Sequence, residues 1–167
     1  MSKINQGLFT SNDQTWETPQ DLFDKLDNVF NFELDVCAVP STAKCSKYFT
    51  PEIDGLKQNW KGNCWMNPPY GREQIKWVNK AWEETKKHGS NVMCLIPARP
   101  DTKVWHETIF ANASAICFIK GRLKFGNSQG SAPFPSALIY FGNELNREQE
   151  KCLREIGKLF KVECEIA

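Results

Sequence analysis

The sequence predicts an α/β fold in which a sheet, mostly parallel at its centre, is covered by helices. Two observations carry this. Short apolar runs typical of buried strands alternate along the chain with segments whose apolar residues recur at helical spacing, the order expected of strand–helix–strand units. One of the runs, NVMCLI (91–96), is apolar almost throughout, as a strand covered on both faces must be. At 167 residues the chain can enclose one core and reads as a single domain over 1–167, with 1–14 a loose N-terminal segment.

The elements follow in order. TPQDLFDKLDNVF (18–30) spaces Leu22, Phe23, Leu26, Val29 and Phe30 along one helical face; Thr18 suits the N-cap and Pro19 the first helical position. FELDV (32–36) reads as a short strand, 37–61 as irregular, and NCWM (63–66) as a strand. Residues 72–87 form a helix with Ile75, Val78, Ala81 and Trp82 on one side. After the strand at 91–96 come a helix at 101–110 and a strand at 115–119. KGRLKFGNSQGSAPFP (120–135) is a loop or hairpin punctuated by Gly and Pro. A strand (136–141), a helix (147–158) and a last strand (160–166) complete the reading.

With 41% hydrophobic and 25% charged residues, the composition is that of a soluble globular protein. No apolar run is long enough to span a membrane, and the start has no apolar stretch of the kind a secretory signal needs. The expected location is the cytoplasm of the cell that makes the protein, the host cell if a phage encodes it. Residues 72–124 carry ten Lys/Arg against five Asp/Glu, while the flanking segments are slightly acidic. A basic middle suits contact with a polyanion, and equally a set of solvated helix faces. Seven irregularly spaced cysteines without a C-x-x-C pair, beside only two histidines, give a metal site little support. The thiols are read as reduced and structural, no metal is expected, and Cys37, Cys45 and Cys64 are the one alternative grouping.

CWMNPPYG (64–71) ends a strand with two consecutive prolines. Neither can donate to a ladder, and both hold φ near −65°, so the turn is rigid. The Asn67 amide oxygen and the Pro68 carbonyl then supply two acceptors, matching the two hydrogens of an exocyclic amine such as N6 of adenine. Tyr70 is placed to stack on the ring that carries the amine. Such a site favours attack by that nitrogen on a methyl group carried by a sulfonium. The competing reading is an ordinary proline turn.

Blocks elsewhere stand in register with this motif: WETP (16–19), LDVCA (34–38), YFTPEIDGL (48–56), NWKGNCWMNPPYG (59–71), LIPARPDT (95–102), IKGRLKF (119–125) and APFPSALIYF (132–141). Over about 14–142 the chain resembles the phage-type DNA N6-adenine methyltransferase (phage Dam) family. The resemblance implies a compact Rossmann-like sheet with helices on both faces, S-adenosylmethionine as cofactor, and Asn67, Pro68, Pro69 and Tyr70 as the catalytic loop acting on an adenine flipped from double-stranded DNA. It also matches Trp16, Thr18 and Pro19 to a block that packs on the cofactor.

Asp35, at the end of its strand, suits the cofactor's hydroxyl or amino groups or, alternatively, a helix cap or turn; Asp54 suits an adenine amine or a plain Asp-Gly turn. Trp16 also suits a core position. The glycine-rich loop of many methyltransferases is absent, and only about thirty residues separate Asp35 from Asn67. With no separate target-recognition domain expected, DNA contacts fall to Arg99 and Lys103 in one loop and to Lys120, Arg122 and Lys124 in another, with Asn127, Ser128 and Gln129 offering base-reading groups. The competing role for Arg122 is a structural ion pair. Phe125 and Phe134 are expected as core or cleft walls. A monomer or homodimer is expected. The rival functions are methylation of an RNA base or a protein glutamine, or a catalytically inactive nucleic-acid-binding relative.

Overall fold

The computed structural model describes residues 16–126 and 130–163. The readings of 1–14, of Asn127, Ser128 and Gln129, and of the last residues of the strand at 160–166 fall outside these. The elements are α1 (Gln20–Phe30), β1 (Leu34–Asp35), β2 (Lys47–Tyr48), a 3₁₀ turn (Gly55–Lys57), β3 (Asn63–Met66), α2 (Gln74–His88), β4 (Asn91–Pro97), α3 (103–112), β5 (Ala115–Ile119), β6 (Ser136–Phe141), α4 (Arg147–Ile156) and β7 (Gly157–Lys161). They build one seven-stranded sheet in the order β2-β1-β3-β4-β6-β5-β7.

The predicted α/β class holds, with a correction to the sheet. The strands β2, β1, β3 and β4 are parallel, but β6 runs antiparallel to both β4 and β5, and β7 runs antiparallel to β5. The parallel part is therefore one half of the sheet rather than its centre. A continuous apolar strand such as SALIYF satisfies either direction, because its ladder neighbours and not its side chains set its polarity.

Successive strand residues point to opposite faces and separate two cores. Cys64, Met66, Val92, Cys94, Ile96 and Ile139 meet Trp77, Val78 and Ala81 of α2 and Val104, Trp105 and Ile109 of α3. Trp65, Met93, Leu95, Leu138 and Tyr140 meet Leu22, Phe23, Leu26 and Phe30 of α1 and Cys152 and Leu153 of α4. Helices thus cover both faces, as expected.

Several boundaries and helix details differ from the sequence expectation. Helix α1 begins one residue later than predicted: Pro19 is the N-cap, with extended ψ and no capping bond from its own side chain, while the Asp21 carboxylate accepts from the first-turn Leu22 N–H at 2.9 Å. The carbonyl of Pro19 accepts from Phe23 N–H at 3.1 Å, while Thr18 is used elsewhere. Helix α3 contains an i→i+5 turn, with the Phe110 N–H donating to the Trp105 carbonyl. The widened turn buries Trp105, Thr108 and Ile109 together. Helix α4 opens on a capping box in which Asn146 and Gln149 exchange bonds of 2.8 and 3.0 Å, and it ends two residues early. Gly157 is extended there and pairs with Ile119, where a Cβ would stand 2.0 Å from the Phe118 carbonyl oxygen.

Between Asp35 and the start of β3 the described chain forms only β2 and the 3₁₀ turn. Trp60 anchors this span. This fully buried ring donates from Nε1 to the Gly55 carbonyl at 2.8 Å and lies 6.0 Å from Trp77 in a stacked pair. Its backbone N–H donates to the buried Glu84 carboxylate at 2.9 Å, and Ser90 Oγ donates to its carbonyl.

Candidate active site

The chain leaves β1 to form β2 on one side, then returns to form β3 on the other. The carboxyl ends of β1 and β3 therefore flank the point where strand order reverses, which opens a crevice in sheets of this kind. A cavity of about 430 Å³ lies there. Its walls include Asp35 from the end of β1, Asn67, Pro68, Pro69 and Tyr70 from the loop after β3, and Asp54 and Gly55 from the 3₁₀ turn. Trp16 and Thr18 close it from the N-terminal side. Pro19, predicted with them, does not line it; as the N-cap of α1 its ring is spent on starting the helix.

The Asn67 amide is held by that N-terminal segment. Nδ2 donates to the Trp16 carbonyl at 2.6 Å and to Thr18 Oγ1 at 3.0 Å. Rigid prolines follow, Pro68 buried and Pro69 exposed. The Tyr70 ring faces Trp16 in a near-parallel pair at 6.3 Å and meets Phe134 edge-on at 5.5 Å and Phe125 at 6.4 Å. Trp16 meets the same two phenylalanines at 5.0 and 5.4 Å. The two rings read from sequence as cleft walls are therefore one side of an aromatic box. Burial drives the Tyr70 phenol well above its ordinary range, and its hydroxyl has no hydrogen-bond partner among the described residues. The ring stays neutral at any working pH.

Asp35 accepts from the backbone N–H groups of Lys44 at 3.0 Å and Cys37 at 3.3 Å. Burial pushes its carboxyl up to about 6 despite those bonds. The turn role and the cavity position are thus both real. The same holds for Asp54, which has φ 59°, accepts from Leu56 N–H at 3.1 Å and still lines the cavity.

Sequence reading missed Lys44 and Glu17. The Lys44 side chain is 6% exposed, lines the cavity, donates to Gln20 Oε1 at 2.8 Å and pairs with Glu17 at 3.5 Å. It is the one cation among the described residues of the lining, which also includes Glu17, Asp35, Asp54 and Glu73. No local signal marks it, since its partners lie more than twenty positions away.

Arg99, Lys103, Arg122 and Lys124 lie outside the cavity, all exposed. Strand β5 runs in the same direction as β4, both being antiparallel to β6. The loops after β4 and β5, which carry Arg99, Arg122 and Lys124 and lead to Lys103 at the start of α3, thus leave the sheet at the same end as Asn67. The Ala98 N–H bonds the Pro135 carbonyl at 2.8 Å and joins them. Lys103 pairs with Glu107 at 3.8 Å; Arg122 donates to the Ala132 carbonyl at 3.4 Å and forms no ion pair among the described residues. No cluster of metal-ligating side chains occurs among the described residues. The thiols of Cys37, Cys45 and Cys64 are pushed by burial to about 12, which keeps them protonated and poor ligands. No helix among the described residues is long and apolar enough to cross a membrane.

The chain is similar in sequence to known proteins. The family model for DNA N-6-adenine-methyltransferase (Dam) matches residues 7–150. A DNA N-6-adenine-methyltransferase of Haemophilus phage HP1 (strain HP1c1) is 33% identical over 123 residues, covering 71% of this chain and 70% of the relative. One of Escherichia phage T1 is 32% identical over 111 residues, covering 65% of this chain and 45% of the relative.

Proposed function

The chain belongs to the DNA N-6-adenine-methyltransferase family, and from that premise we propose that it methylates N6 of an adenine flipped out of DNA, with S-adenosylmethionine as donor. The observation that carries the reading is the NPPY loop on the wall of the same cavity as Asp35 and Asp54. The Asn67 oxygen and the Pro68 carbonyl accept the two amine hydrogens, concentrating electron density on nitrogen and fixing it for attack. Tyr70 offers part of its ring to the base. When bound, S-adenosylmethionine supplies a methyl carbon on a sulfonium. The methylated nitrogen becomes acidic and releases its proton to solvent, so no strong general base is needed.

The cavity suits that cofactor. Val39, Phe49, Pro51 and Leu56 give apolar walls, and the acids outnumber Lys44, which favours a cationic ligand. Asp35 and Asp54 would accept from its hydroxyl or amino groups, and Lys44 would face its carboxylate. The exposed basic loops around the Asn67 end of the sheet would meet the phosphates of DNA, with Arg122 also able to read a guanine edge.

Unmethylated plasmid incubated with the protein and methyl-labelled S-adenosylmethionine should yield labelled N6-methyladenine on nucleoside analysis. Label found only in RNA or protein offered in parallel, or in none of the three, would sink the reading.

The Asp35 carboxyl also predicts a pH dependence. Its folded value of about 6 lies above the unfolded value near 3.8, so the free protein loses stability as pH rises between the two. A ligand that needs the ionised carboxylate binds more tightly over the same rise. Calorimetry should show the affinity for S-adenosylhomocysteine increasing from about pH 5 to pH 7, centred near 6. Asp35→Asn should bind weakly with no such slope; an identical slope in the variant would remove Asp35 from the cofactor site.

A further inference from the structure

We infer that residues 16–18 position the catalytic amide: the Trp16 carbonyl and the Thr18 hydroxyl hold Asn67 so that only its oxygen is left for the substrate amine. This rests on the methyl-transfer reading above, and it moves Thr18 from cofactor contact to positioning residue.

An asparagine amide has two ends of nearly equal shape and a broad, two-fold terminal torsion. The prolines hold the backbone but do not decide which end faces the cavity. Two bonds decide it, since Nδ2 donates to the Trp16 carbonyl at 2.6 Å and to Thr18 Oγ1 at 3.0 Å. Both amide hydrogens are consumed, and Oδ1 remains as an acceptor. Turned over, the amide would set its oxygen against the Trp16 carbonyl and its nitrogen against an amine that itself brings donors. Thr18 is only 4% exposed, so water does not readily replace a lost partner.

The segment is itself fixed at three places. The Glu17 carbonyl accepts from Gly126 N–H at 3.0 Å, and the Glu17 carboxylate pairs with Lys44 at 3.5 Å. The Trp16 ring meets both Phe125 and Phe134 edge-on. A hydroxyl placed by this many contacts is stiff enough to hold an amide in one orientation.

The test compares Thr18→Val, which keeps the shape and removes the hydroxyl, with Thr18→Ser. In the valine variant kcat on unmethylated DNA should fall roughly ten-fold while affinity for S-adenosylhomocysteine, read by calorimetry, stays within about two-fold. Serine should restore most of kcat. Weakened S-adenosylhomocysteine binding with unchanged kcat would make Thr18 a cofactor contact and overturn the inference, as would a valine variant equal to wild type in both. Independently of any variant, the Asn67 side-chain amide protons should exchange more slowly by NMR than those of exposed Asn143; equal rates overturn the clamp. A fully active Asn67→Ala would instead remove the methyl-transfer role of Asn67. An inactive Asn67→Ala beside a fully active Thr18→Val would count against the clamp alone.

Discussion

Asn67→Ala should abolish most of the methylation while leaving cofactor binding intact. On the proposed mechanism the substitution removes one of two acceptors for the amine, and it leaves the Trp16 carbonyl and the Thr18 hydroxyl without the Asn67 donor. Deleting one electrostatic partner in a preorganised site costs about a hundredfold to a thousandfold in kcat. KM for DNA should move far less, because on the same proposal base flipping and phosphate contacts rest on other groups. Steady-state kinetics on unmethylated DNA, with calorimetric titration of S-adenosylhomocysteine, separates the two effects. A variant that keeps more than a tenth of wild-type kcat would take Asn67 out of the catalytic role. One that loses cofactor binding in the same proportion would make it a structural residue of the cavity.

The largest expected effect on stability belongs to Trp60→Ala. Its ring is fully buried, its Nε1 donates to Gly55, and its face stacks on Trp77, so truncation opens a cavity and leaves the Gly55 carbonyl with the Gln58 N–H as its remaining donor. Trp→Ala changes of this kind cost about 3–5 kcal/mol. For a domain of this size, that lowers Tm by roughly 6–20 °C. Gly55 and Trp77 both line the cavity, so the loss should also loosen the cofactor side. Thermal unfolding followed by circular dichroism, with and without saturating S-adenosylhomocysteine, checks both. The ligand should recover less stability in the variant than in wild type. A drop in Tm of under 3 °C would show that the span 37–61 does not depend on Trp60.

Much of the site was legible because its chemistry is contiguous. NPPY places two acceptors and a ring within four positions, and a strand must stop at two prolines whatever surrounds it. Asp35 and Asp54 could be picked out for the same reason, as carboxylates at the end of a strand and in a tight turn. Other members of the site were not readable this way. Lys44 looks like a surface lysine in a loop, and only the fold wraps Glu17 and Gln20 around it. Thr18 looks like a helix cap, because a threonine before proline and a polar first turn is the usual cap signal. Its partner Asn67 lies 49 positions away.

What the sequence determined by itself was local and periodic: the strands that alternate with helices, the two buried faces of NVMCLI, and the rigid turn at Pro68 and Pro69. These follow from side-chain pattern and from proline's missing donor, which act over a few residues at a time. The tertiary structure alone decided the direction of β6, the i→i+5 turn in α3, the start of α1, and the orientation of the Asn67 amide. Each depends on a hydrogen bond or an approach between segments distant in sequence. Their energies are set by where the chain returns, and periodicity along the chain carries no record of that.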